Sequence, residues 1–470
     1  MADLDVVVVG AGISGLTAAR TLCRQGLDVR LFERESACGG LIKTDRVDDF
    51  IIDAGPDTLL AHKPAAIGLV RELGLADSLV EPLPRRTTYV VRRSALRTLP
   101  ETSAMGLPIN WHTLFTANAF SWHGKVRMAA EALLPPRPPA AGDESISSFV
   151  RRRFGDEAVR YVAEPLLAGL HRGDAARLSL RALFPALAEA ECRQGSVSRA
   201  WRRMPARQGG GSMALRGGMG ELVSGMVAHI SQGVAATGWD VTAIERADDA
   251  FRVHVRDRAS LTARAVLLAT PAHVTRTLAA GLDADLARLC GGIRYVSAVN
   301  VALGYGPDAI RHTLNGWGFV VPAAERRRVR SVSWVSSKWP GRAPAGSVLI
   351  RASLGSPSGA DAVDADENTL IDWAHDDLRD LLGIREPPTL ARVYRLPLAM
   401  PQLEVGHLNR MAAIDERLSK LPGVFVTASG FRGVGLPDCI QDAHAVAERT
   451  AGYLNTSFEP ADHGRSANLL

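Results

Sequence analysis

The run Asp5-Val6-Val7-Val8-Val9, followed at once by Gly10-Ala11-Gly12-Ile13-Ser14-Gly15, constrains this chain more than any other segment, because an acid, Glu33, closes the next apolar run, Val29-Arg30-Leu31-Phe32. The order predicts a strand, a glycine turn, a helix and a second strand. Gly10 permits the tight turn, Gly12 lets backbone N–H groups approach a pyrophosphate, and Gly15 lets the helix pack closely on the strand, with its positive end facing the phosphates. Glu33 lies 18 residues beyond Gly15; there its carboxylate can accept from both ribose hydroxyls of an adenosine and repels a 2′-phosphate. Three glycines mean little by themselves in a chain with 44 of them. The strand before, the helix after and the acid at this distance together predict a dinucleotide site, which NAD and FAD both satisfy.

Beyond Glu33 the chain reads Arg34-Glu35-Ser36-Ala37-Cys38-Gly39-Gly40-Leu41-Ile42-Lys43-Thr44 and then Asp53-Ala54-Gly55-Pro56. This second glycine pair lies where the ribityl and flavin portion of a long cofactor would run past the backbone. On these residues the segment resembles the amine-oxidase-like FAD superfamily.

With 470 residues and 46% apolar content the chain can bury sizeable cores, and its length predicts two or three domains. No stretch approaches the roughly 20 uncharged apolar residues that cross a bilayer, and the N-terminal run is too short for a signal peptide. The expectation is a cytoplasmic protein. Cys23, Cys38, Cys192, Cys290 and Cys439 are odd in number and scattered, with no CxxC spacing, which suggests neither a disulfide framework nor a metal site. The net charge of +5 comes from arginine, since Lys43, Lys63, Lys125, Lys338 and Lys420 are the chain's lysines. The arginines are dispersed and aromatics are 6% of residues, a poor match to a nucleic-acid-binding face; arginine's bidentate fork suits carboxylates instead.

An α/β fold is expected, with a Rossmann-like dinucleotide domain assembled from three segments, 1–80, 208–275 and 415–455. The later segments contribute Gly217-Gly218-Met219-Gly220 with a helix from Leu222 to Ile230, strands near 241–244, 251–255 and 265–268, and a buried strand at 423–428 leading into a helix to about Tyr453. Residues 81–207 read as a helical insertion, and 276–414, with β-branched runs at 296–303, 318–321 and 347–354 and a helix over 367–382, as a mixed-sheet substrate domain. Residues 456–470 read as a tail.

The stretch Glu164-Pro165-Leu166-Leu167-Ala168-Gly169-Leu170-His171-Arg172-Gly173-Asp174, followed by Leu178-Ser179-Leu180 and Phe184-Pro185, resembles the EPLLxGxxxGD signature of the protoporphyrinogen and coproporphyrinogen III oxidase family. So do Gly430-Phe431-Arg432-Gly433-Val434-Gly435-Leu436-Pro437-Asp438, the Ala-Thr-Pro-Ala-His segment at 269–273 and Ser336-Ser337-Lys338-Trp339-Pro340-Gly341-Arg342. The resemblance covers essentially the whole chain. It implies non-covalent FAD and oxygen-dependent oxidation of a porphyrinogen to a porphyrin in haem biosynthesis, the substrate being protoporphyrinogen IX or coproporphyrinogen III. Six electrons leave in three two-electron flavin cycles, each yielding peroxide, so no catalytic triad, paired carboxylate or metal cluster is required and no catalytic side chain is assigned.

The same resemblance implies that Gly10, Gly12, Gly15, Glu33, Arg34, Gly39, Gly40, Val241, Gly433 and Val434 contact the cofactor, with Val241 presenting its backbone to adenine. Substrate candidates are Gly169, His171, Arg86 and Arg92, the last two by rough position near the start of the first insertion. Relatives commonly carry an aromatic and a small residue where this chain has His171-Arg172, so His171 marks either a shifted pocket or a loop histidine leaning to the surface. The apolar residues Met105, Leu107, Trp111, Leu114, Phe115, Phe120 and Trp122 are expected to form the helical insertion's core and the substrate entrance, with a peripheral bilayer anchor as the alternative. A homodimer and hand-off to a ferrochelatase are further implications. The rival functions are a flavin amine oxidase, although the Ser-Gly-Gly-Cys-Tyr flavin-attachment pattern is absent, and a non-catalytic flavin- or porphyrin-binding protein.

Overall fold

The computed structural model describes residues 2–84, 87–100, 111–138, 142–203, 211–355 and 360–457. Its opening elements are β1 (Leu4–Val9), α1 (Ile13–Arg24) and β2 (Val29–Glu33). The first sheet has the order Ala235–Thr237, β2, β1, Leu261–Leu268, Ala250–Val255, Val241–Ala247, and Val424–Val426 also pairs with Leu261–Leu268. The pairs from Ala235–Thr237 through β2 and β1 to Leu261–Leu268, and on to Val424–Val426, are parallel. Such a sheet is covered on both faces, which is why β1 is a continuous apolar run rather than an alternating one. Val6 and Val8 pack with Leu16, Leu222 and Val446 on one side, while Val7 and Val9 pack with Ile244, Leu286 and Ile414 on the other. Strands from three distant parts of the sequence thus share one sheet.

The second sheet has the order Leu390–Gln402, Arg294–Tyr305, Val348–Leu354, Val329–Trp334, Gly318–Val320, Thr88–Arg92, Ala95–Thr98. The helix Glu367–Leu382 buries Leu370, Ala374, Leu378 and Leu382 in a core with Trp334 and Ile350. Two of its strands correct the sequence expectation: Thr88–Arg92 and Ala95–Thr98 form a hairpin, and Thr88–Arg92 pairs in parallel with Gly318–Val320. The stretch after residue 81 therefore begins as the edge of a sheet before it turns helical. Likewise the helix His407–Ser419 straddles residue 414, and its Met411 and Ile414 join the core of the first sheet.

Between the two sheets in sequence lies a helical layer, with Ile146–Phe154, Glu164–Leu170 and Pro185–Gln194 around Phe149, Phe154 and Val162. At its centre Glu131 and Arg153 are both fully buried and ion-paired. Among the described residues no helix is long and apolar enough to cross a membrane.

Candidate functional site

The glycine turn after β1 is shaped around a gap on one side. A Cβ on Gly15 would stand 1.8 Å from Gly10 O, so Gly15 is what lets α1 lie against the turn, whereas a Cβ on Gly12 would meet nothing within 4 Å. Helix α1 starts with no side-chain cap and no acid in its first turn. Its free N–H groups and positive end therefore face open space, the chemistry a pyrophosphate requires.

The second glycine pair closes onto the first. Gly39 N donates to Ala11 O at 2.8 Å, and a Cβ on Gly40 would come within 3.3 Å of Gly12 Cα. Glu33 sits beside them, its carboxylate accepting from Ala11 N at 2.7 Å and Glu35 N at 2.9 Å. Trp239 N donates to Glu33 O at 2.8 Å, and Phe32 and Trp239 stack with centroids 5.0 Å apart. Val241 follows two residues later and pairs with Val255. Arg34 points outward and pairs with Glu35. Gly433 and Val434 lie in the turn before the helix Leu436–Ser457, where Gly430 N donates to Gly433 O at 2.8 Å and Ser429 Oγ to Val434 O at 3.3 Å.

A path of contacts then leads from the glycines to the second sheet. Gly55 approaches Leu41 so closely that a Cβ would be 2.2 Å from its carbonyl oxygen. Arg351, on the strand Val348–Leu354, donates to Asp53 O at 2.9 Å and Gly55 O at 2.8 Å with one nitrogen and to Asp57 Oδ2 at 2.9 Å with the other. Asn300 Nδ2 donates to Ala54 O at 2.9 Å. Lys338 Nζ lies 2.9 Å from Thr58 Oγ1, 3.9 Å from Asp57 and 4.7 Å from the Trp339 ring centroid, and Arg342 lies 3.2 Å from Asp53. Burial would raise Asp57, but Arg351 and then Lys338 outweigh it and hold its carboxyl well below the usual range. For Asp53 burial wins over Arg342, and its pKa is raised.

The Gly169 segment rests on this sheet. A Cβ on Gly169 would be 2.9 Å from Ser331 Cβ, so the glycine is what allows the helix Glu164–Leu170 to touch the strand Val329–Trp334. His171 stacks edge-on against Phe184 at 6.1 Å, and burial, with Lys63 nearby, lowers its pKa to about 4. It is neutral at pH 7 and faces the interior, not the surface. Lys63 in turn holds Asp438 at 2.6 Å, tying the segment after Gly55 to the helix that follows Val434.

Of the two candidate arginines, Arg86 lies outside the described residues. Arg92 is engaged within the helical layer, donating to Ala119 O at 2.6 Å, pairing with Glu157 at 3.5 Å and covering the Tyr161 ring. Sequence reasoning missed Arg351, Asp57, Asn300 and Arg172 as members of one cluster. Arg351 left one signal, a charge inside the β-branched strand Val348-Leu349-Ile350-Arg351-Ala352.

The glycine cradle, the uncapped helix and the acid beside them fit FAD. The family model described as flavin containing amine oxidoreductase matches residues 13–451. A coproporphyrinogen III oxidase of Bacillus subtilis is 31% identical over 96% of this chain and 98% of its own length. A chloroplastic protoporphyrinogen oxidase of Oryza sativa is 28% identical over 96% of this chain and 88% of its own length. A solved structure from Exiguobacterium sp. 255-15 superposes with a TM-score of 0.86 at 26% identity, covering 97% of this chain and 100% of the other.

Proposed function

Because this chain belongs to the flavin-containing amine oxidoreductase family, we propose that it is an FAD-dependent oxidase that converts a porphyrinogen to a porphyrin in haem biosynthesis, with coproporphyrinogen III as its substrate. The observation that carries this reading is end-to-end similarity to the Bacillus subtilis relative. FAD, when bound, supplies the two-electron oxidation, used three times per porphyrin with three molecules of oxygen reduced to peroxide.

The protein's own part is to bind, orient and exclude water. Gly10, Gly12, Gly15, Gly39 and Gly40 admit the pyrophosphate, Glu33 and Arg34 the adenosine ribose and its surroundings, Val241 the adenine, and Gly433 and Val434 the flavin end. Gly169 and His171 border the substrate cleft, and the neutral His171 offers it an uncharged edge. Arg92, held within the helical layer, takes no part in this assignment, and Arg86 keeps its place as a substrate candidate by position. The division into a three-segment FAD domain, a helical insertion and a substrate domain follows the same lines, with the hairpin Thr88–Thr98 going to the substrate sheet.

The protein acts in the cytoplasm, and the exposed Trp122, Val126 and Leu133, which are 67%, 49% and 82% exposed, offer a face for a membrane surface. Homodimerisation and hand-off to a ferrochelatase rest on the family resemblance alone and form no part of the proposal. The test mixes purified, FAD-loaded protein aerobically with coproporphyrinogen III and, separately, protoporphyrinogen IX, and follows porphyrin fluorescence above autoxidation. Faster turnover of coproporphyrinogen supports the reading. Turnover of neither, with oxygen uptake on polyamines, would replace it by an amine oxidase.

A further inference from the structure

Arg172 is an unusual member of the charged cluster around Asp57 and Arg351. It holds a left-handed backbone, φ 53°, a conformation that costs a non-glycine residue about 1 kcal/mol. Its guanidinium donates to Leu354 O at 3.2 Å, to Asn300 Oδ1 at 2.7 Å and to Ser353 Oγ. All three acceptors are neutral. Among the described residues no carboxylate lies within ion-pairing distance of it.

The surroundings deepen that imbalance. Arg351, Lys338 and Arg342 draw on the two carboxylates Asp57 and Asp53, and Arg172, beside Arg351, is a further cation with no carboxylate of its own. Arg172 is partly accessible to solvent, yet it is enclosed enough that burial and the neighbouring Arg351 lower its pKa to about 10. Neutral hydrogen bonds orient such a cation without compensating its charge, and an uncompensated enclosed charge is costly unless an anion arrives. Asn300 links it directly to Ala54 O, in the segment where the cofactor's flavin portion is expected to pass.

We propose that Arg172 is a substrate-binding residue that receives a carboxylate of the porphyrinogen, and that it sets this chain's preference for the substrate with more carboxylates. The inference rests on the porphyrinogen reading above.

Arg172→Gln keeps a donor for Asn300 and removes the charge, and Arg172→Lys keeps the charge. The expected result is a KM for coproporphyrinogen III raised at least tenfold in Arg172→Gln, the loss of one charge-assisted contact, with a smaller change in kcat, partial recovery in Arg172→Lys, and a smaller effect on protoporphyrinogen IX. Binding is read independently of turnover by fluorescence quenching, using coproporphyrin III and its tetramethyl ester. Wild type should prefer the free acid, and Arg172→Gln should lose that preference while its FAD content and melting temperature stay close to wild type. Equal binding of the free acid by wild type and Arg172→Gln overturns the proposal, as does a shift in flavin absorbance or sulfite reactivity without a change in KM. If wild type oxidises no porphyrinogen, the functional reading fails by itself, and the binding comparison still decides whether Arg172 is a carboxylate site.

Discussion

The Arg351 guanidinium and the Asp57 carboxylate meet at 2.9 Å, and through this pair the second sheet grips the segment 53–57 that follows the second glycine pair. One nitrogen of Arg351 holds the backbone at Asp53 and Gly55 while the other holds Asp57. The contact is enclosed, so its partners are worth little separately and a good deal together.

Removing one partner should therefore cost more than losing a surface ion pair. Asp57→Asn leaves Arg351 and Lys338 without their shared carboxylate, a change of about 3–5 kcal/mol for a buried pair broken on one side. Denaturant unfolding of the apoprotein checks the magnitude. The pH sign is set by the lowered Asp57 pKa: the ionised group stabilises the fold above its ordinary value of 3.8, and this contribution is lost as pH falls below that value toward the folded pKa. Asp57→Asn should flatten the acid limb of the stability profile.

Gly12 and Gly15 should separate cofactor binding from folding. In Gly12→Val the added side chain enters open space, so the protein folds, with far-UV circular dichroism unchanged, but its flavin absorbance per protein falls by at least tenfold. In Gly15→Val the Cβ collides with Gly10 O, and the expected outcome is insoluble or unfolded protein. A soluble, FAD-replete Gly15→Val protein would contradict the packing described here.

His171 gives a pH dependence of the opposite group type. Its folded pKa, lowered to about 4 from 6.5 by burial and Lys63, means that the unfolded chain takes up a proton at a higher pH than the folded one. Stability should fall as pH drops from about 6.5 to about 4 and then level off. His171→Phe should reduce that slope, to which His273, His312, His375 and His407, also lowered by burial, contribute the remainder; thermal unfolding across this range measures it.

Deep in the helical layer, Glu131 accepts from Arg153, Ser196 Oγ, Val197 N and Ser198 N. Glu131→Ala leaves three donors without this acceptor and Arg153 with only Glu191, at 3.5 Å, and backbone carbonyls, and a loss of about 3 kcal/mol is expected. Limited proteolysis should then cut first within 122–203, with the glycine cradle protected when FAD is bound.

Much of this was legible in the chain. The turn at Gly10 to Gly15, the acid at Glu33 and the helix over 367–382 are local patterns, each set by the conformational needs of a few adjacent residues. The hairpin Thr88–Thr98 was not, because short strands at a sheet edge owe their state to a partner, here Gly318–Val320, more than 200 residues away. Arg92 was picked by position, and Glu157 and Tyr161, which occupy it, are set by the packing of the helical layer.

What the sequence determined by itself is the turn from Gly10 to Gly15 with Glu33 beside it, since such a turn is built from consecutive backbone groups and the glycines they require. The tertiary structure alone decided the charged cluster. Arg172, Asn300, Asp57 and Arg351 come from four separate stretches, and the excess of positive charge they share exists only where the two sheets meet, because electrostatic energy depends on distance in space and on exclusion of water, neither of which is written in the order of residues.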